Sequence, residues 1–391
     1  MTVAERALAA LDETALVTLT QELVRLRSIN PPGDEAAVAA YIAERLQRAG
    51  LFAEVVPHPE AGRASVVGGL RGRGNRPALL LSGHLDTVPA GESWQRPPLA
   101  AEVDDGKLWG LGSSDMKAGV AAMLVALEAI QRSGATLQGD LLFAGTAGEE
   151  VDSMGAKQLV AQQKLGRVGF VIIGEPTANQ VYTAEKGVLW LELRTHGRTA
   201  HGSMPHLGVN AILHMLTLLQ ALRALEVPYQ RHPLLGDFTL NVATIHGGVK
   251  TNVVPDACAA TVDLRTVIGQ DHQQILDQVR QLIDRLCAED ATFQAEVRVL
   301  TERVPLDIPV DDPHVQAFIR VRDAVTGQPT VPRAATYATD GSVYVPAYRI
   351  PMVICGPGLP EKAHQPDEYV EIAKIVEAAR IYTLAALELL A

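Results

Sequence analysis

The chain has 391 residues, long for one compact domain and suited to two or three folding units. Hydrophobic residues make up 47% and charged residues 20%, a globular balance that excludes intrinsic disorder. A formal charge of −11 with no basic run excludes a nucleic-acid partner, although one or two placed arginines still suffice for an anionic small molecule.

The N-terminus carries Glu5, Asp12 and Glu13 and lacks a basic-then-apolar leader pattern. The longest interior apolar run, Ala118 to Ile130, is broken by Glu128 and too short for a bilayer, so no membrane association is expected. Cys258, Cys287 and Cys355 are odd in number and far apart, which fits reduced thiols and a cytoplasmic protein.

In chain order, Glu13 to Gly50 predicts two helices separated by Asn30-Pro31-Pro32-Gly33. Short apolar runs then alternate with helical segments. These are strand Ala78–Ser82, helix Met116–Arg132, strand Leu141–Ala144, helix Ser153–Gln163 and strand Val168–Ile173. That alternation predicts an α/β layer with a mostly parallel sheet, whose ligands gather at the carboxyl ends of the strands.

The grammar changes beyond Val181. A strand (Leu189–Thr195), a helix (Val209–Leu225), two strands (Leu240–Ile245, Ala257–Arg265), a helix (Gln273–Cys287) and a strand (Ala295–Val299) follow. This order predicts an inserted α+β domain, two helices on a four-stranded antiparallel sheet. Residues 1–180 and 300–391 would form one discontinuous catalytic domain, and 181–299 the insert. The last part is expected to hold a helix at Pro313–Thr326, a strand at Pro351–Ile354 and a long amphipathic helix at Tyr369–Leu390.

Chemistry-bearing residues collect at the expected strand ends. His84 and Asp86 stand in Gly83-His84-Leu85-Asp86-Thr87, a spacing that suits a metal ligand and the carboxylate that orients it. Asp115 precedes an apolar helix, where an acid is also a common cap. Glu149 and Glu150 follow the next strand, and as neighbours they point apart and can do two jobs. Glu175 ends the strand after that, and Ala363-His364-Gln365-Pro366-Asp367-Glu368 follows the last short strand and Gly356-Pro357-Gly358. Two histidines and three carboxylates without cysteine suit zinc, cobalt or manganese.

Taken together, G-H-L-D-T-V-P, G-S-S-D-M-K-A-G, G-E-E, G-E-P-T and G-P-G followed by A-H-Q-P-D-E resemble the M20 metallopeptidase family, from about Leu19 to the C-terminus and in family order. The resemblance implies two divalent ions, His84 and Glu175 on one, Glu150 and His364 on the other, and Asp115 bridging. It also implies that Asp86 orients His84, that Glu149 is the general base, and that the Asp115–Met116 peptide is cis. In the insert, Thr199-Ala200-His201-Gly202 resembles the histidine loop that enters the partner's active site in dimeric relatives, so a homodimer is expected, with His201 stabilising the tetrahedral intermediate. His206 has no assigned role.

Arg265, in Asp263-Leu264-Arg265, and Asn252, in Gly247 to Pro255, resemble substrate-binding segments, and Gly356 is expected beside them. Arg265 can grip a carboxylate or pair with Asp263. The implied activity is removal of the N-acyl group from a small amino acid with a free carboxylate, of the acetylornithine or succinyl-diaminopimelate kind. A dipeptidase or glutamate-type carboxypeptidase is the alternative within the family. A metal-stabilised binding protein would lack a ligand or the base, and all are present. Leu111, where many relatives have Arg, and Tyr337 to Ser342 depart from the pattern and leave the substrate open.

Overall fold

A computed structural model describes residues 1–391. The chain divides into two compact units, Met1–Thr183 with Ile308–Arg333 and Thr339–Ala391, and Ala184–Asp307 with Ala334–Ala338. No helix is long and apolar enough to cross a membrane.

In the first unit the main sheet runs in the order Phe52–Pro57, Ala64–Leu70, Leu141–Thr146, Ala78–His84, Val168–Ile173, Met352–Ile354. The last four are mutually parallel, as the strand–helix alternation predicted, and the first two join as an antiparallel edge. Ala78–His84 and Leu141–Thr146 are buried along their whole length, which explains why both read as continuous apolar runs rather than alternating ones. The helix Ala118–Ser133 is buried on nearly every side. Its Glu128 is held by a two-pronged contact from Arg45 at 2.7 and 3.1 Å.

The strand Ala64–Leu70, between Phe52–Pro57 and Leu141–Thr146, escaped the sequence reading because Gly68 and Gly69 dilute its strand signal. The glycines are there for closeness: a Cβ on Gly69 would lie 2.1 Å from the carbonyl oxygen of Leu141. Two expected helices also begin late. The segment Ser113–Lys117 departs from helical geometry at Asp115 (φ −121°, ψ 95°), so the regular helix starts at Ala118 rather than Met116. The Asp115–Met116 peptide is cis, as expected. Tyr369–Glu371, expected to open the last helix, is instead a strand paired with Lys107–Trp109, and the helix is Ile372–Leu390. Its partner lies more than 250 residues away, beyond the reach of any local pattern.

The second unit is an antiparallel sheet in the order Thr239–Gly247, Ala257–Thr266, Gly187–His196, Gln294–Arg303, with helices Ala211–Arg223 and His272–Glu289. Leu189, Leu191 and Leu193 alternate onto the same face as Cys258, Ala260 and Val262, and that face meets both helices in one apolar core. This is the α+β arrangement that the order of elements predicted.

Gly119 gives the fold a test. It lies in the first turn of a buried helix, and a Cβ there would come within 2.4 Å of the Gly174 carbonyl oxygen, at the end of a central strand. On an exposed helix Gly→Ala stabilises by about 1 kcal/mol. Here Gly119→Ala is expected to destabilise by roughly 1–3 kcal/mol through overpacking, measured as a lower urea midpoint at unchanged m-value.

Candidate metal centre

Parallel register brings the chemistry together. His84 pairs with Thr146 and Ser82 with Ile173, so His84, the Gly148–Glu150 turn and Glu175 emerge side by side at the carboxyl ends of three adjacent strands. Ile354 is in register with Ile173, which sets the chain leading to His364 beside Glu175.

Two donor groups result, His84–Asp115–Glu175 and Asp115–Glu150–His364, and within each the ligand atoms all lie within 4.8 Å of one another. Asp115 belongs to both. Its Oδ1 is 2.9 Å from His84 Nε2 and its Oδ2 is 3.5 Å from His364 Nε2. Glu175 Oε1 approaches His84 Nε2 at 3.6 Å, and Glu150 Oε2 approaches His364 Nε2 at 3.0 Å. All five residues named from the sequence therefore converge.

The second nitrogen of His84 is fixed. Nδ1 donates to the backbone carbonyl of Asp86 at 2.9 Å, which leaves Nε2 facing Asp115 and Glu175. The Asp86 carboxylate is farther from Nδ1, at 3.6 Å. Its oxygens accept the backbone N–H groups of Glu149 (3.1 Å) and Glu150 (3.2 Å) and the side chain of Asn30 (2.9 Å). Asp86 thus supports His84 through its main chain and the two glutamates through its side chain.

Electrostatics mark the site as a cation trap. Burial works against a charged His84 imidazole, yet Glu175, Asp115 and Asp86 outweigh it and raise its pKa well above the usual value. Burial and the like charge of Asp115 drive the Glu175 carboxyl well up, with Glu149 adding to the rise. Glu150 is raised chiefly by burial, and His364 is raised to about 9, first by its hydrogen bond to Glu150. Buried carboxylates crowded with imidazoles, each imidazole turning one nitrogen to the acids, fit divalent cations by both charge and donor type.

The remaining predicted residues lie elsewhere or do other work. Glu149 is buried beside the donor groups. Gly356 is buried against the Glu175 turn, where a Cβ would meet the Gly174 carbonyl oxygen at 2.0 Å. His201, Asn252 and Arg265 belong to the second unit. His201 is exposed, with Nδ1 held by Ser203 Oγ at 2.8 Å, and its loop pairs with the Asn252 segment through Gly202 N–H to Asn252 O at 2.9 Å. Arg265 Nε is engaged by Asp263 at 2.9 Å.

Three contributors were missed by sequence reasoning. Asn30 was read as part of a turn, and its side chain reaches Asp86. Lys117 is fully buried, donates to the Leu26 carbonyl at 2.8 Å, and is lowered by burial to about 7. Glu368 is buried and accepts three backbone amides of the Asp115 turn. Burial pushes its carboxyl up to about 8 against the pull of those amides. Glu368 and Lys117 left traces, each inside a short motif that carries a candidate ligand, whereas Asn30 left none.

Residues 80–388 match the model of peptidase family M20/M25/M40. The chain belongs to the M20 family. It is a metal-dependent hydrolase of amide or peptide bonds. It is 32% identical to the acetylornithine deacetylase of Proteus mirabilis over 355 residues, 87% of this chain and 86% of that one. It is 28% identical to a Staphylococcus epidermidis protein named "Probable succinyl-diaminopimelate desuccinylase", over 92% of this chain and 94% of the other. An M20-family metallo-carboxypeptidase from Sulfolobus solfataricus shares the fold, with a TM-score of 0.81 at 19% identity over 96% of this chain and 98% of that one.

The dual support given by Asp86 can be measured. Asp86→Ala removes the acceptor of two backbone amides and the Asn30 side chain. Each buried donor left unpaired costs on the order of 1–3 kcal/mol, so the metal-free protein is expected to lose stability by at least one such increment in urea unfolding. A change below roughly 0.5 kcal/mol, the scatter of ordinary surface substitutions, would contradict the assignment.

Proposed function

We propose that this M20 hydrolase uses two divalent ions to remove the N-acyl group of a small amino acid with a free carboxylate. The observation that carries the reading is the Asp115 carboxylate, with one oxygen toward each histidine and a further carboxylate beside each. His84 and Glu175 would hold one ion, Glu150 and His364 the other, and Asp115 both. The donor chemistry favours zinc, with cobalt or manganese compatible. When bound, such a pair supplies Lewis acidity and lowers the pKa of a water toward neutrality.

The chain's own residues then have these tasks. Glu149 takes a proton from the water that attacks the amide carbonyl carbon. As the C–N bond breaks, it delivers that proton to the departing amine, leaving a carboxylate and a free amino group. His201 donates to the developing oxyanion, from the partner subunit of a homodimer as in dimeric relatives. Arg265 and Asn252 take the substrate's carboxylate. Arg265 is partly exposed, at 26% of its side chain, so its pairing with Asp263 leaves the guanidinium accessible. The relatives named for acetylornithine and succinyl-diaminopimelate support the acyl-amino-acid class.

The first experiment is hydrolysis of N-acetylornithine, N-succinyl-diaminopimelate, a dipeptide and an N-acylglutamate by chelated and then zinc- or cobalt-reloaded enzyme. Cleavage of one of the two acyl amino acids, dependent on metal, is the expected outcome. Cleavage of the dipeptide alone would replace this reading with a dipeptidase.

Glu149→Ala is expected to lower kcat by roughly 10²–10⁴-fold, the usual contribution of a positioned base, with metal content by elemental analysis unchanged. Wild-type kcat with both ions present would remove Glu149 from the role. Mixing Glu149→Ala with His201→Ala subunits is expected to restore part of the activity, and verified mixed dimers that stay silent would show that the site is not shared. Metal should also stabilise the folded chain. At a hundred times Kd the gain is about 2.7 kcal/mol, seen as a higher Tm that chelator reverses.

A further inference from the structure

The last candidate ligand, His364, sits on a loop that leaves the main sheet after Ile354 and enters a separate three-stranded sheet at Tyr369. Its backbone is left-handed, with φ 58°, and so is that of Asp367, with φ 53°. Neither residue is in a helix or strand; the Asp367 carboxylate accepts the Gln95 and Arg96 amides at 3.0 and 2.9 Å, which ties down the loop's far end but not His364 itself. The turn that carries Asp115 has the matching problem. The amides of Gly112, Ser114 and Asp115 precede the regular helix and have no carbonyl of that helix to bond.

The two segments solve each other's difficulty at two points that flank His364. On one side, Ser114 Oγ donates to the Leu359 carbonyl at 3.0 Å and accepts the Leu359 N–H at 2.8 Å. On the other, Glu368 accepts all three loose amides: Ser114 N–H at 2.7 Å and Asp115 N–H at 2.9 Å on Oε1, and Gly112 N–H at 2.9 Å on Oε2. Residues 359–368 are therefore fastened at both ends to the turn of Asp115, with His364 between the fastenings.

We infer that Glu368 is a positioning residue that locks the His364 loop to the Asp115 turn, so that the Asp115–Glu150–His364 group forms as one unit. Glu368 touches no substrate and is not a ligand. It acts through two residues that are. The inference rests on the two-ion reading above. It also makes an asymmetric claim. The group Asp115–Glu150–His364 draws two of its three members from the fastened segments, whereas His84–Asp115–Glu175 draws one, since His84 and Glu175 are set by sheet register.

The test is metal titration of the full chain, wild type, Glu368→Gln and Glu368→Ala, against a competing chelator, with zinc and then with cobalt(II) read by its visible absorption. Partners that orient ligands typically account for 10–100-fold in metal affinity. Glu368→Ala is expected to weaken one of two sites by roughly that factor, with the other changing only a few-fold. Glu368→Gln, which keeps one acceptor oxygen but turns an NH₂ group toward a backbone amide, should fall between. If Glu368→Ala does not fold, Glu368→Gln and Ser114→Ala, which loosens the other fastening, carry the comparison.

A role in overall stability alone would lower Tm and leave both affinities intact once the chain is folded. Two sites of wild-type affinity in folded Glu368→Gln and Ser114→Ala would therefore overturn the inference. A wild-type chain that takes up a single ion would overturn the two-ion reading and this inference with it. One that takes up two, while both variants match it, overturns this inference alone.

Discussion

Everything about the first unit turns on one carboxylate. Asp115 presents one oxygen to His84 and the other to His364, and its neighbours Glu175 and Glu150 add negative charge within a few ångströms. Gathering buried carboxylates is unfavourable on two counts, loss of hydration and mutual repulsion. The raised carboxyls of Glu175 and Glu150 register both. Such a group persists only where the surrounding fold leaves its members nowhere else to go, and the close packing around it serves that end. Gly119 and Gly356 both press on the Gly174 carbonyl, and a Cβ on Gly358 would lie 2.1 Å from the carbonyl oxygen of Ser114. The strand end that carries Glu175 and the turn that carries Asp115 are held by contacts too tight for any side chain.

A second device recurs. Two acids outside the candidate ligand set, Asp86 and Glu368, use their carboxylates to hold backbone amides of the turns that carry the candidate ligands. Asp86 is held below the usual carboxylate range despite its burial, chiefly by His84, so its bonds go to an ionised acceptor and are roughly twice as strong as neutral ones; both acids leave the side chains of the turns free for other work. Farther out the support passes between side chains. Arg63 grips Glu35 at 2.8 and 3.2 Å beneath the Gly148 turn, where a Cβ on Gly148 would meet Arg63 Nη2 at 2.8 Å. The centre is thus supported by a layer of charged groups whose partners are mostly main chain, so its geometry depends on turns rather than on flexible side chains.

Such construction separates the chemistry from the choice of substrate. Four of the candidate ligand residues follow strand ends whose register is fixed by a buried parallel sheet, while the relatives at 28% and 32% identity are named for different acyl groups. Leu111 is buried, at 2% exposure, and Asp340 is tied to Thr146 Oγ1 at 2.6 Å. The departures at both places lie in the packing around the centre, outside the ligand set.

The sequence by itself determined the family chemistry, the parallel sheet, the α+β second unit and the five residues that converge in two donor groups. Those signals are local: apolar runs of strand length, helical periodicity, and a short motif at each strand end, repeated in order. Tertiary structure alone decided the rest. Tyr369–Glu371 is a strand because Lys107–Trp109 offers it an edge. The helix after Asp115 starts two residues late because the turn before it bonds to Glu368 instead of continuing the helix. Asn30, Lys117 and Glu368 matter through partners 56, 91 and 253 residues away. A hydrogen bond between distant segments leaves no periodicity in either of them, so the chain announced which side chains converge at the centre while concealing which groups hold them still.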